Sequence, residues 1–179
     1  QNINGGDLEV SIRSINLTDD GGYAAAGNTM TIDGQDFYYI VKIDSNGNEE
    51  WHHGYGIGGY GVCYDIIQTH DGGFALGGFQ IREDDDLNWE NCYLIKTDRD
   101  GEIEWENNQF SNFGIITSLI QTSDRGFVIG GRAWIDNNRF VSFSAIRTDS
   151  EGEELWSLPL GQPRTGFCFE VTSMNNGGY

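Results

Sequence analysis

Asp71-Gly72-Gly73-Phe74, followed by Lys96-Thr97-Asp98-Arg99-Asp100-Gly101 and then Trp105, decides the fold, because both blocks return in register along the chain. The first block appears earlier as Asp20-Gly21-Gly22-Tyr23 and later as Asp124-Arg125-Gly126-Phe127 and Asn176-Gly177-Gly178-Tyr179. Its second glycine (Gly22, Gly73, Gly126, Gly178) therefore recurs after 51, 53 and 52 residues. The second block keeps the same beat as Lys42-Ile43-Asp44-Ser45-Asn46-Gly47 with Trp51, and as Arg147-Thr148-Asp149-Ser150-Glu151-Gly152 with Trp156. Three full units and the start of a fourth fill the 179 residues, and a period of this length signals a repeat architecture.

Each unit holds four short runs rich in aromatic and β-branched residues, bounded by turn residues, with no sustained helical spacing. In the second unit they run from 62 to 69, 73 to 80, 91 to 98 and 102 to 106, and are read as strands A, B, C and D. The Asp-Gly-Gly turn joins A to B. Its second glycine is kept in all four copies while the first admits Arg125, so the second needs either positive φ or close backbone approach. The C-to-D turn ends in Asn46-Gly47, Asp100-Gly101 or Glu151-Gly152, which places its glycine in the left-handed region. On strand C, Phe37, Tyr39, Val41 and Ile43 share one face and Tyr38 and Ile40 the other, a pattern that calls for burial on both faces.

Four antiparallel strands per unit of this length predict an all-β, β-propeller-like array. A solenoid of hairpins is the alternative. The whole chain, 1–179, reads as one partial propeller, with blades at 8–55, 62–107 and 114–158 and a truncated fourth from 166. A ring takes about 4 to 8 blades, so about three and a half do not close one. The expected partners are the remaining blades of a parent chain, of which this is an excerpt, or a second copy. The absence of an initiator Met agrees with a processed product or an excerpt.

Composition narrows the function. With 28 Asp and Glu against 10 Lys and Arg, the net charge of −18 would repel a phosphate backbone, which argues against nucleic acid. A hydrophobic share of 37% is modest, yet 13% aromatics speaks for a folded chain, and 26 glycines with 2 prolines speak for many tight turns. No apolar run is long enough to span a bilayer as a helix, and no basic-then-apolar leader precedes Gln1.

The two blocks together resemble those of secreted and cell-surface bacterial and archaeal β-propellers. Their repeats read roughly as Asp-Gly-Gly-Tyr, a later Lys-x-Asp-x-x-Gly-x-x-x-Trp, and a Tyr-Gly. The Ser-rich SBBP propeller repeat and the tryptophan-docked repeats of quinoprotein propellers look similar over the same Asp-to-Trp block. The resemblance covers nearly the whole chain and concerns the scaffold. The Tyr-Gly element is present only as Tyr55-Gly56, with Phe110-Ser111 and Leu160-Gly161 in its place later. What it implies is an extracellular or cell-surface location and a noncatalytic scaffold or binding module, with a glycan-active or quinoprotein-like enzyme, or a self-assembling structural module, as alternatives. It implies no cofactor.

Trp51, Trp105 and Trp156, each four residues after a turn glycine, are expected to pack between blades, since an indole buries roughly 150–250 Å². Lys42, Lys96 and Arg147 are expected to hold a turn by pairing with the neighbouring Asp44, Asp98 and Asp149. A meander puts the A–B and C–D turns at one end of each blade and the variable B–C and D–A connections at the other, where a grafted site belongs. The candidate ligand surface is aromatic: Trp89 and Trp134 in B–C connections, with Tyr55 and Tyr60 beside the D–A loop, facing a protein or glycan. In the run from Arg82 to Glu90, Asp84, Asp85 and Asp86 offer hard oxygen ligands for calcium, or Asp85 beside Trp89 a sugar subsite, or else a solvated acidic loop. His52 and His53 are adjacent on one strand and cannot easily share a metal. The Asp44, Asp98 and Asp149 turns lack the ligand series of a calcium loop and read as Asx turns. Cys63, Cys92 and Cys168 are expected to be free thiols.

Overall fold

The computed structural model describes residues 9–30, 36–56, 60–81, 90–110, 113–135, 140–160 and 170–173. Among these, every element is a β-strand, and twelve antiparallel strands form three four-stranded sheets. The first sheet holds β1 (Glu9–Leu17), β2 (Tyr23–Met30), β3 (Asp36–Ile43) and β4 (Glu49–Tyr55). The second holds β5 (Tyr60–Gln68), β6 (Phe74–Ile81), β7 (Asn91–Thr97) and β8 (Ile103–Asn107). The third holds β9 (Phe113–Gln121), β10 (Phe127–Ile135), β11 (Phe140–Thr148) and β12 (Glu154–Leu160). Strand order follows chain order in each sheet, so each is a simple meander of the expected A–B–C–D type. No described helix is long and apolar enough to cross a membrane.

The turns account for the regularity. In the A–B turn, Thr18 Oγ1 donates to Asp20 Oδ1 at 2.5 Å, and the Gly22 amide donates to the same oxygen at 2.9 Å. Thr69 and Asp71, and Thr122 and Asp124, repeat the hydroxyl bond. Positive φ falls on the first position of the pair: Gly21 at 82°, Gly72 at 87°, and Arg125 at 69°. The second glycine is needed for a different reason. A Cβ on Gly22, Gly73 or Gly126 would collide with the carbonyl oxygen of Ile43, Thr97 or Thr148 and press on the side-chain nitrogen of Lys42, Lys96 or Arg147. Of the two requirements the repeat left open, close backbone approach is the one that applies. In the C–D turn, Gly47, Gly101 and Gly152 have φ of 87°, 83° and 82°. Asp44 Oδ1 accepts the amides of Asn46 and Asn48, both at 2.8 Å, and Asp98 and Asp149 do the same in their turns. These aspartates are turn caps, as expected.

The sheets stack in succession, each laying its first strand on the face of the one before: β5 touches β1, β2 and β3, and β9 touches β5, β6 and β7. One apolar core lies between the first and second sheets, around Tyr38, Ile40, Ile66, Phe74 and Ile95. Another lies between the second and third, around Leu94, Ile116, Leu119, Phe127 and Ile146. Side-chain amides stitch the first strands together. Gln68 Oε1 accepts the Asp19 amide and Gln121 Oε1 the His70 amide, both at 2.8 Å. Burial of strand C on both faces holds for β7, which lies between two sheets. It fails for β3, whose odd-numbered residues are half-exposed because no described sheet precedes them.

Candidate functional site

At the turn end, strand-C cations bind the two motif blocks together. Lys42 Nζ lies 2.8 Å from Asp20 and 2.7 Å from Glu50. Lys96 Nζ lies 3.0 Å from Asp71 and 2.7 Å from Glu104. The partners are thus the aspartates of the A–B turn, which corrects the expected pairing with Asp44, Asp98 and Asp149. Those carboxylates are occupied by the amides of their own turn. Glu50 and Glu104 are the extra residues of a bulge on strand D, between register partners Lys42–Trp51 and Ile43–Glu49 and between Lys96–Trp105 and Thr97–Ile103. In the third unit the same slot is Leu155, and the cation is Arg147. Its guanidinium nitrogen Nη2 reaches both oxygens of Asp124, at 2.5 and 2.7 Å. A compact ammonium takes two carboxylates here, and a planar fork is satisfied by one. Glu50 and Glu104 went unnoticed in sequence reasoning. The signal was the residue before each tryptophan, which is Glu, Glu, Leu where the cation is Lys, Lys, Arg.

Electrostatics follow from these bonds. The hydrogen bond from Lys42 pulls the Asp20 carboxyl far below its ordinary range. Burial raises the Asp71 carboxyl, but bonds from Thr69, Gly73 and Lys96 outweigh it and bring it to about 2. Asp19, Asp20, Lys42, Glu50, Trp51, Gln68, Gly72, Arg99 and Asp100 line a cleft of about 350 Å³ where this latch meets the second sheet. Most of its polar side chains are already engaged in holding the turns, which leaves the cleft a structural seam.

The tryptophans occupy the seams between sheets. Trp51 packs edge-on against Phe74 at 5.7 Å and 68°, and Trp105 against Phe127 at 5.8 Å and 71°. Both are half-buried rather than buried. Trp156 is 45% exposed. The aromatic at the matching place in the next unit is Tyr179, which, with Gly178, lies outside the described residues. At the opposite end of the array Tyr23, first of these aromatics, is 42% exposed.

At the loop end, Tyr55 and Tyr60 are the members of the proposed aromatic surface whose side chains are described. Tyr55 is buried, stacks on His53, and donates its hydroxyl to the Gly101 carbonyl at 2.7 Å, which fastens the first sheet to the second. Tyr60 is 45% exposed and leans on Phe79 at 5.7 Å. Trp134 sits on β10 in register with Val141. Trp89, Asp84, Asp85 and Asp86 lie outside the described residues. His52 pairs with Glu49 at 2.6 Å, while His53 bonds the Asp100 carbonyl across the seam, so the two histidines diverge. Cys63 and Cys92 are buried free thiols, and burial pushes Cys92 up to about 12. Cys168 lies outside the described residues.

Along the first strands runs a polar line that sequence reasoning missed. A bulge recurs in β1 between Ile12 and Ser14 and in β5 between Cys63 and Asp65, and the register of β9 also shifts beside Ser118. Asp65 accepts the Ser14 hydroxyl and the amides of Ile66 and Leu119, each at 2.9 Å, so one carboxylate ties three sheets. Burial raises its pKa against those bonds. Ser118 accepts the Val171 amide at 3.1 Å in the same manner. No family model matches this chain, and no curated protein matches it significantly.

Proposed function

We propose that the chain is a run of β-propeller blades that acts without catalysis, as a scaffold or binding module of a secreted or surface protein. The observation that carries this reading is the repeated seam. Two successive junctions use the same tryptophan–aromatic contact and the same glutamine-to-backbone bond. A tryptophan and glutamine contact that recurs from junction to junction suits a closed ring, and Tyr23 and Trp156 are the half-contacts that further blades would complete. Ligand contact then falls to the loop end, because the strand-C cations and the carboxylates they hold at the turn end are committed to one another. Net charge of −18 favours a protein or glycan ligand over nucleic acid.

Two measurements test this. Imaging of the longest natural chain that contains these repeats is expected to show a closed ring of about 4 to 8 such sheets, and an open solenoid would refute the propeller. Screening against glycan arrays and a panel of aryl glycosides is expected to give retention without product. Product release proportional to protein concentration would refute the noncatalytic reading. Self-assembly is a second reading favoured by the same observation, since Trp156 of one copy matches Tyr23 of another. A concentration-dependent mass in light scattering would support it.

A further inference from the structure

Between the first and second sheets, near the loop end, three buried oxygens have no hydrogen-bond donor: Asn28 Oδ1, Asp36 Oδ1 and Gln80 Oε1. Asp36 is 7% exposed and Gln80 5%. Buried acceptors are nearly always satisfied, so each needs an explanation.

The register brings these groups together. Asp36, Tyr38, Ile40 and Lys42 are the buried alternate residues of β3, the face turned to the second sheet. Asn28 pairs with Tyr38 across β2 and β3 and shares that face. From the second sheet, Gly78 and Gln80 of β6 pair with Cys63 and Gly61 of β5 and with Tyr93 and Asn91 of β7. Cys63 and Tyr93 belong to the core against the first sheet, which fixes the face that Gln80 presents. Tyr38 lies over Gly78, whose added Cβ would stand 2.5 Å from the tyrosine hydroxyl, and that hydroxyl donates to the Tyr93 carbonyl at 3.1 Å. Asp36 is two residues from Tyr38 and Gln80 two from Gly78, both toward the loop end, so they face each other above the Tyr38–Tyr93 pair. A Cβ on Gly61, the partner of Gln80, would lie 3.7 Å from the Asp36 carbonyl, as this placement requires.

At the next junction a carboxylate at the same strand position has a cation partner. Glu90 stands six residues before Lys96, as Asp36 stands six before Lys42, and it pairs with Arg132 of the third sheet. Arg132 stands six residues after the turn glycine Gly126. The residue six after Gly73 in the second sheet is Phe79, which packs with Ile115 of the third sheet and so offers Asp36 no cation. The Asp36 carboxylate is therefore left with the Asn28 amide as a hydrogen-bond partner and with the like charge of Glu9 nearby.

The geometry points to a calcium site formed by Asp36, Asn28 and Gln80, in which the ion supplies the partner that the three orphaned oxygens lack. One carboxylate and two amide carbonyls are hard oxygen donors suited to calcium, with water completing a coordination of about six to eight. A single buried carboxylate gives a weak site, in the range of about 10⁻⁴ to 10⁻³ M. Binding would join two sheets, so it stabilises the seam directly. The site is independent of the acidic run at 84–86 and of whether the array closes into a ring.

The test is calcium titration of the full chain by calorimetry, together with terbium luminescence excited through Tyr38 and Tyr93. The expected result is one calcium per chain, tyrosine-sensitised terbium emission displaced by calcium, and a melting temperature that rises with calcium. Asp36→Asn should abolish all three while leaving the melting temperature in chelator no lower, because it removes a buried charge. Gln80→Leu should weaken binding by about tenfold or more, and it decides the matter if Asp36→Asn does not fold. Substituting Asp84, Asp85 and Asp86 together by Asn should leave the binding intact. No calcium binding by the folded chain, or binding that survives Asp36→Asn and is lost with the 84–86 substitutions, would overturn the assignment.

Discussion

Gly72 and Gly73 are neighbours in one turn, and the structure assigns them opposite requirements, so alanine at each position should cost very different amounts. At Gly72 the backbone has φ of 87°, and an added Cβ meets only the mobile end of Arg99, at 3.0 Å. The cost is that of a left-handed L-residue, about 1–2 kcal/mol, partly offset by the stiffer unfolded chain, by about 0.4–1 kcal/mol. Arg125 occupies the same position in the third unit at φ of 69°, so the conformation is tolerated. At Gly73 the Cβ would overlap the Thr97 carbonyl, stand 2.9 Å from Lys96 Nζ and 3.1 Å from the Asp98 carbonyl carbon. Two of those three contacts are backbone of β7 and its turn, which cannot rotate away. Relief requires the A–B turn to lift from β7, which parts Lys96 from Asp71. Overpacking of about 1–3 kcal/mol and loss of an ion pair whose carboxylate is half-exposed, about 1 kcal/mol or less, together predict about 2–4 kcal/mol. For a chain of this size about 1 kcal/mol moves Tm by roughly 2–4 °C. Thermal and urea unfolding should therefore show Gly73→Ala melting at least roughly 4 °C below wild type, and Gly72→Ala losing about half as much or less. Equal losses, or a larger loss at Gly72, would refute the close-approach account of the repeated glycine.

The seam contacts predict a second contrast. Trp105→Ala should cost about 3 kcal/mol or more, whereas Trp156→Ala, at a ring 45% exposed, should cost under about 1 kcal/mol, as read from urea midpoints. Stability should also depend on pH with a maximum on the acid side of neutral. Asp36 and Asp65 have raised pKa values, largely from burial, so the folded state binds their protons more tightly and acidification from neutral stabilises it. Asp71 and Asp44 are lowered from 3.8 to about 2, so their contribution is complete above pH 3.8 and is lost as the pH falls toward 2. A melting temperature that only falls between pH 7 and pH 4 would contradict the burial assigned to Asp36 and Asp65.

The four-stranded unit, its A–B and C–D turns and its strand order were legible in the sequence because they depend on residues a few positions apart. Asp44 capping Asn46 and Asn48, glycine at positive φ in Gly47, and the alternation of β3 are all local chemistry, repeated often enough to be unmistakable. Threonine at 18, 69 and 122 belongs to the same local code and was missed only because it precedes the obvious block. What the tertiary structure decided lies between strands that are not adjacent in the chain. It separated Gly72 from Gly73 by what stands beside each. It gave Lys42 and Lys96 the aspartates of another turn, turned Tyr55 inward onto Gly101, and left Asp36 and Gln80 with buried oxygens that have no hydrogen-bond partner. The physical reason is that a turn is specified by hydrogen bonds within about four residues, whereas a seam is specified by which faces meet some fifty residues apart. Repetition announces that the sheets will stack, but the register of the stacking, and with it every contact across the seam, exists only once the sheets are in place.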